Sequence, residues 1–194
     1  MALGTHRRTT ARRSARHWGA AAALALALAA LPLASPAADT KAGRMYEDAL
    51  GRWDRHDYAG AAVQARNALQ IDQSLLPAHL LLGRALTATG ELGTAEAAFV
   101  EALRQGVARA EVVLPMARLS LMMGRPDDLM REQRYAVAGL PANVSAQLLL
   151  LKAAAAADLG DPRLALRLID DARALDPTTP ESWLTETTIR IRMQ

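Results

Sequence analysis

The chain has 194 residues, of which 51% are apolar but only seven are aromatic, and it contains no cysteine. Abundant alanine, few rings and no sustained alternation of β-branched residues favour helices packed through small side chains over a sheet. The formal charge of +3 comes from five arginines in the first twenty residues, without which 18 basic residues remain beside 20 acidic ones. The sequence therefore predicts an all-α protein without disulfide bonds or a nucleic-acid partner.

The first 37 residues have the pattern of a secretory signal peptide. Residues 1–18 are basic, residues 19–34 are an uncharged run of mainly alanine and leucine, and Ser-Pro-Ala-Ala-Asp follows. This order is typical of a signal that is cleaved, here after Ala37 or Ala38. The apolar run has about 16 residues, which is short for a membrane-spanning helix because such a helix needs about 20. The alternative to cleavage is that the segment stays attached as an inner-membrane anchor. We expect a periplasmic or secreted protein, bound to the membrane only if this segment is retained, and without cysteine lipidation.

The rest of the chain is predicted to form four helical hairpins and a last helix. The second hairpin follows the linker 73–77, is broken at Gly90, where glycine adopts a positive φ without steric cost, and ends at Gly106. The other predicted helices are 40–54 and 58–71, Glu111–Met123 and Asp127–Ala138, Ser145–Leu159 and Pro162–Leu175, and 180–192.

These hairpins recur at a nearly constant spacing. A step of 34 residues leads back from Gly90 to His56 and forward to Gly124, and a step of 36 more reaches Gly160. A small residue lies seven positions before each turn, at Ala49, Gly83, Ala117 and Ala153, and three copies have alanine five positions after it, at Ala61, Ala95 and Ala165. Repetition at a fixed period predicts stacked helical hairpins, each burying the apolar face of the next.

The repeated motif resembles that of the tetratricopeptide-repeat (TPR) family. Repeat two matches the family pattern best, at Leu82–Gly83, Gly90, Ala95, Phe99 and Ala102. Repeat four matches it at Ala153, Gly160, Ala165, Ala172 and Pro177. Repeat one has Arg52 in the usual aromatic position, and repeat three departs most, with Leu129 for the small residue and Gln133 for the aromatic. The resemblance implies a right-handed α-solenoid over residues 38–194, with repeats at about 42–75, 76–109, 110–143 and 146–179 and a terminal helix at 180–194.

The residue inventory argues against catalysis. Beyond the first segment the histidines are His56, in a turn, and His79, where a packing residue is expected, and neither has a visible catalytic or metal-binding partner. The adjacent acids 127–128 and 170–171 point to different sides of a helix. No glycine-rich phosphate loop, nucleophile elbow or metal-spaced cluster occurs. We expect no enzymatic activity, no cofactor and no metal.

In TPR proteins the first helix of each hairpin lines a concave groove, and the resemblance places partner-binding residues on this chain. Arg84 and Arg118 hold the same position in adjacent repeats, about 10 Å apart, and together suit a carboxylate or an anionic sugar. Solvated arginines or intramolecular ion pairs are the alternative. Tyr46 and Trp53 lie two turns apart on one helix face. Three roles suit aromatic rings at this spacing: stacking on sugars, anchoring a peptide, or packing against a neighbouring helix. The implied groove residues are Tyr46, Leu50, Trp53, Asp54, Leu80, Arg84, Thr87, Leu114, Arg118, Leu121, Met122, Gln147, Leu150 and Asp158.

A narrower resemblance concerns Tyr46–Gln73 and Leu80–Arg125. These runs are similar to the N-terminal part of exported bacterial TPR proteins associated with exopolysaccharide production and the exosortase (PEP-CTERM) sorting system. The resemblance implies a non-enzymatic periplasmic scaffold in envelope polysaccharide or protein-sorting machinery, holding a protein or peptide partner. A polysaccharide-binding module and a membrane-tethered assembly factor are the alternatives. Trp183 and Leu184 in the terminal helix suggest in addition a homo-oligomer in which a second copy covers their apolar surface.

Overall fold

The computed structural model describes residues 40–178 and 181–192, and within these ranges every regular element is a helix and no strand occurs. One of these elements is a 3₁₀ turn at Gln133–Tyr135. The α-helices of the described ranges are α1 Lys41–Asp54, α2 Tyr58–Ile71, α3 Leu76–Ala88, α4 Leu92–Gln105, α5 Arg109–Met122, α6 Pro126–Arg131, α7 Ala142–Asp158, α8 Pro162–Leu175 and α9 Glu181–Arg192. The prediction of an all-α fold without a sheet is confirmed for the described residues.

The predicted signal segment, residues 1–37, lies outside the described ranges. Among the helices that are described, none combines the length and the apolar character needed to cross a membrane.

Each helix packs on its neighbours in the chain. The most extensive contacts are those of α1 with α2, α3 with α4, and α7 with α8, which are helical hairpins, and α2 also packs on α3. The first helices of successive hairpins touch one another as well: α1 contacts α3, and α3 contacts α5. This arrangement sets α1, α3 and α5 side by side, so that residues on one face of each helix share a surface.

The hairpin turns are formed by residues with a positive φ. Gly90, Gly124 and Gly160 have φ values of 82°, 68° and 81°, a conformation that glycine adopts without a clash at Cβ. His56 takes the equivalent place in the first turn with a φ of 62°, and no other non-glycine residue of the described part has a positive φ. Its Nδ1 lies 2.8 Å from the Tyr58 hydroxyl oxygen. The turn position that the spacing predicts for His56 is confirmed.

One aromatic ring fills the contact between α3 and α4. Phe99 is completely buried, and a Cβ atom built on Gly83 would lie only 2.6 Å from the ring carbons Cδ1 and Cε1. The absence of a side chain at Gly83 therefore lets the ring lie flush against the α3 backbone. Around this pair the core consists largely of alanines and leucines, among them Ala85, Leu86 and Ala95.

The second helix of the third hairpin is shorter than the sequence predicts. A helix was expected over Asp127–Ala138, but α6 ends at Arg131 and only a 3₁₀ turn follows, so the prediction is wrong for the second half of that segment. The backbone becomes extended at Glu132, with φ −75° and ψ 135°. This change of direction buries the ring of Tyr135, which is 3% exposed and whose hydroxyl donates to the Met116 carbonyl oxygen at 3.4 Å.

A single arginine replaces the hydrogen bonds that a helix would have supplied here. The guanidinium of Arg109, in the first turn of α5, donates to the carbonyl oxygens of Arg134, Ala136 and Ala138. Because carbonyl groups without a donor are costly when they are shielded from water, this contact stabilises the irregular segment. We call Arg109 and these three carbonyls the arginine clamp.

The terminal helix α9 packs on α7 and α8. Arg173 of α8 fixes it in two ways: its guanidinium carbon lies 3.9 Å from the centroid of the Trp183 ring, and it hydrogen-bonds Glu186. Trp183, Leu184 and Ile191 nevertheless remain 64%, 69% and 65% exposed. The apolar surface expected on this helix is therefore present, and its coverage by a second copy stays a prediction.

Candidate binding groove

Two adjoining cavities lie among α1, α3 and α5. The first has a volume of about 780 Å³, and its lining includes Tyr46, Leu50, Leu80, Arg84 and Glu111 together with the α2–α3 and α4–α5 loops. The second has a volume of about 630 Å³ and is lined by residues of all three helices, including Trp53, Arg84, Thr87, Glu111, Leu114, Arg118 and Met122. Because Arg84 and Glu111 line both cavities, the two form one continuous surface, which we call the groove.

The second cavity is mainly apolar. Beside the polar Arg84, Thr87, Glu111 and Arg118, its lining consists of the apolar residues Trp53, Ala88, Phe99, Ala110, Leu114, Pro115 and Met122. Met122 is 56% exposed although it is large and apolar. An apolar cavity with a few charged groups at its edge is the usual form of a site that binds another molecule.

Two arginines of the groove have no partner within the described part of the chain. Arg84 and Arg118 are exposed, and neither takes part in a hydrogen bond or ion pair with a described residue. Some other arginines of this part form ion pairs, for example Arg52 with Asp48 and Arg125 with Glu96. The alternative that Arg84 and Arg118 serve intramolecular ion pairs therefore does not hold among the described residues.

The two aromatic residues of α1 face different cavities. Tyr46 lines the first cavity and Trp53 the second, and both are half-buried. The Trp53 ring packs on Tyr58, with 5.0 Å between the ring centroids and 58° between the ring planes. Burial raises the pKa of the Tyr46 phenol, Glu47 raises it further and Arg84 opposes the shift, so the hydroxyl stays protonated as a hydrogen-bond donor near Arg84.

Pro115 interrupts the hydrogen bonds of α5 at the groove. Proline has no N–H group, so the carbonyl of Glu111, four residues earlier in α5, lacks its usual helical donor. Both residues line the second cavity.

The structure brings together the predicted groove residues of the first three repeats, with two exceptions. Leu121 of α5 is half-buried and packs against the core instead, and Asp54 is exposed and lines neither cavity. Those of the fourth repeat are not brought to the same cavities. Leu150 is only 5% exposed and lies in a core cluster with residues of α8 and α9. Gln147 is half-buried and Asp158 exposed, and neither lines the groove cavities.

Sequence reasoning missed Glu111 and Pro115 as groove residues. The signal was available, because Glu111, Pro115, Arg118 and Met122 follow one another at helical spacing and so share one face of α5. The family pattern, which names only selected positions of each repeat, hides this continuity.

A polar cleft lies elsewhere, between α2, α3 and α4. His79 is buried in it and its Nε2 donates to the Gln73 carbonyl oxygen at 2.8 Å. Hydrogen bonds from Arg104 and Gln105 lower the pKa of the Glu101 carboxyl to about 2. His79 thus has the packing and hydrogen-bonding role expected from its position. Within the described ranges no three His, Asp or Glu side chains are grouped to hold a metal ion.

The groove combines apolar side chains with two guanidinium groups and a phenol that can donate a hydrogen bond. No protein-family model matches the chain, and no curated protein matches its sequence. The interpretation of the groove therefore depends on its own residues.

Proposed function

We propose that this protein is an exported, non-enzymatic scaffold of the TPR type whose groove holds a segment of a protein partner. One observation carries the proposal: the first helices of three successive hairpins form two adjoining cavities that share Arg84 and Glu111. A segment lying in both cavities would contact α1, α3 and α5 at once. The constant sequence period and the side-by-side contacts of these helices support a right-handed α-solenoid as the framework.

The cellular setting that we propose is the bacterial envelope. The basic head, apolar run and small residues before Asp39 support export to the periplasm or the medium. The resemblance of Tyr46–Gln73 and Leu80–Arg125 to exported TPR proteins supports a role in envelope polysaccharide or protein-sorting machinery. Sequencing of the mature N-terminus tests this setting: a start at Ala38 or Asp39 is expected, whereas an intact N-terminus would favour a membrane-tethered assembly factor.

A polysaccharide is the second candidate ligand. The observation that favours it is the placement of Tyr46 and Trp53 along the groove, since aromatic rings stack on sugar faces. Titration with secreted polysaccharide, followed by tryptophan fluorescence, distinguishes the candidates. A saturable shift that Trp53→Phe abolishes and Trp183→Phe preserves would favour the sugar; no shift would disfavour it.

Site-specific photo-cross-linking in the native host tests the scaffold proposal. A photoreactive residue at Thr87 lies in the groove, whereas one at Val100, which is 47% exposed on α4 and does not line the groove, is the matched control. We expect a discrete protein product at Thr87 that is absent at Val100, with mass spectrometry naming the partner. The same products at both positions, or none at Thr87, would overturn the proposal.

A further inference from the structure

We infer that the groove selects an acidic segment, whose apolar side chain enters the second cavity while its carboxylates pair with Arg84 and Arg118. The inference rests on the proposed function, because it names the chemistry of the segment that the groove would hold.

The unpaired guanidinium groups carry the electrostatic part of the inference. Arg84 and Arg118 line the same cavity and have no hydrogen bond or ion pair with a described residue. A ligand that covers them removes water from both cations, which is costly unless the ligand returns charged hydrogen bonds. Carboxylates do so with two parallel N–H···O bonds each. A neutral or basic segment would leave both charges covered and unpaired.

The spacing of the two arginines constrains the ligand further. They stand on neighbouring helices, whose axes pack about 10 Å apart. An extended chain places every second side chain on the same face and advances about 3.3 Å per residue. Acids four residues apart therefore span about 13 Å, a distance that the two long arginine side chains can accommodate, and an apolar residue midway between the acids faces the cavity wall. The walls formed by Trp53, Leu114 and Met122 suit an aliphatic or aromatic side chain, and a flexible methionine adapts to its shape.

The acidic side chains of the groove constrain where the acids of the ligand can bind. Glu111 lies where the two cavities meet, and Asp72 lines the first cavity only. Because Asp72 lines the first cavity alone, it disfavours acids there, so both acids of the ligand belong in the second cavity, which Arg84 and Arg118 line.

Selection from a displayed library of random dodecapeptides tests the inference without a known partner. The purified protein is expected to enrich peptides with two Asp or Glu residues four positions apart and an apolar residue midway between them. The double variant Arg84→Glu/Arg118→Glu should instead enrich Lys and Arg. The matched control is Arg163→Glu/Arg167→Glu on α8, which changes the same charge at two exposed arginines without a described partner outside the groove. This control should keep the acidic preference, with the same helical circular dichroism as the other proteins.

A selected peptide then gives the quantitative result. Its fluorescein-labelled form should bind at least about tenfold more tightly than the form in which each acid is replaced by its amide, and the difference should shrink at high salt. Equal affinity of the two forms, or a basic or uncharged consensus, would overturn the inference. The inference would also be overturned if secreted polysaccharide or a second copy of the chain displaced the peptide from the groove while the peptide selection showed no preference for acidic residues. If Thr87 cross-links a partner while the acidic preference is absent, only this inference fails; if both results are negative, the proposed function fails as well.

Discussion

Replacement of Gly83 by alanine tests the contact that holds α3 against α4. The new Cβ atom would lie 2.6 Å from Cδ1 and Cε1 and 2.9 Å from Cζ of Phe99, whereas ordinary contacts begin at 3.4 Å. The Phe99 ring is completely buried in its present position. Either the two helices must separate or the ring must leave its rotamer.

Two opposing terms set the size of the effect. Alanine in place of glycine inside a helix is favourable by about 1 kcal/mol, and forcing an extra carbon into a well-packed core costs about 1–3 kcal/mol. Because the contact distance is far below the van der Waals limit at three ring atoms, we expect a packing cost in the upper part of this range, about 2–3 kcal/mol. The free energy of unfolding should fall by about 1–2 kcal/mol.

Urea unfolding followed by far-ultraviolet circular dichroism measures this change. The control is Gly93→Ala in α4, where no atom lies within 4 Å of the added Cβ, and it should be neutral or stabilising. In a Phe99→Leu background the cost of Gly83→Ala should shrink, since the ring edge is gone. A Gly83→Ala protein as stable as the parent, or a cost that is the same in both backgrounds, would refute the proposed clash.

Three further changes probe other parts of the fold. Arg109→Met keeps the side-chain length but removes the arginine clamp, so the free energy of unfolding should fall by about 2–3 kcal/mol in urea titrations; no loss would show that water serves these carbonyls equally well. His56→Gly removes a side chain from a backbone with φ 62° and should raise the melting temperature; an unchanged or lower melting temperature would contradict this and show that the contact with Tyr58 outweighs the strain. Hydrogen bonds from Arg173 and then Arg190 lower the pKa of Glu186 below its usual value of 4.5, so its contribution is present above that pH and is lost as the carboxyl protonates in acid. Hydrogen-exchange protection of α9 should therefore drop in acid, and Glu186→Gln should show the reduced protection already at neutral pH.

The turns and most helix bounds were predictable because their causes are local. Gly90, Gly124 and Gly160 adopt positive φ through their own lack of a side chain, and their spacing is visible in the sequence. The end of α6 was not predictable in this way. It depends on the burial of Tyr135 and on the guanidinium of Arg109, whose partners lie 25 to 29 residues away in the chain. Such tertiary contacts override helix propensity, and they cannot be predicted from the local sequence pattern.

The groove was partly predictable for a similar reason. Residues of α1, α3 and α5 that share a helix face come together once these helices lie side by side, so the positions carried over from the TPR pattern place Tyr46, Arg84 and Arg118 in the groove. Leu150 occupies the corresponding face of α7 but is buried in the cluster with α8 and α9. Its burial depends on how the last three helices pack, which the spacing of the repeat does not encode.

Cross-linking from Thr87 in the native host, in parental and charge-reversed proteins, tests most directly whether the groove holds an acidic partner segment. We expect one major protein product that is absent at Val100, that disappears in Arg84→Glu/Arg118→Glu and that persists in Arg163→Glu/Arg167→Glu. A product of equal yield in both double variants would contradict the role of the groove arginines, and an equal product at Val100 would contradict the groove as the binding site.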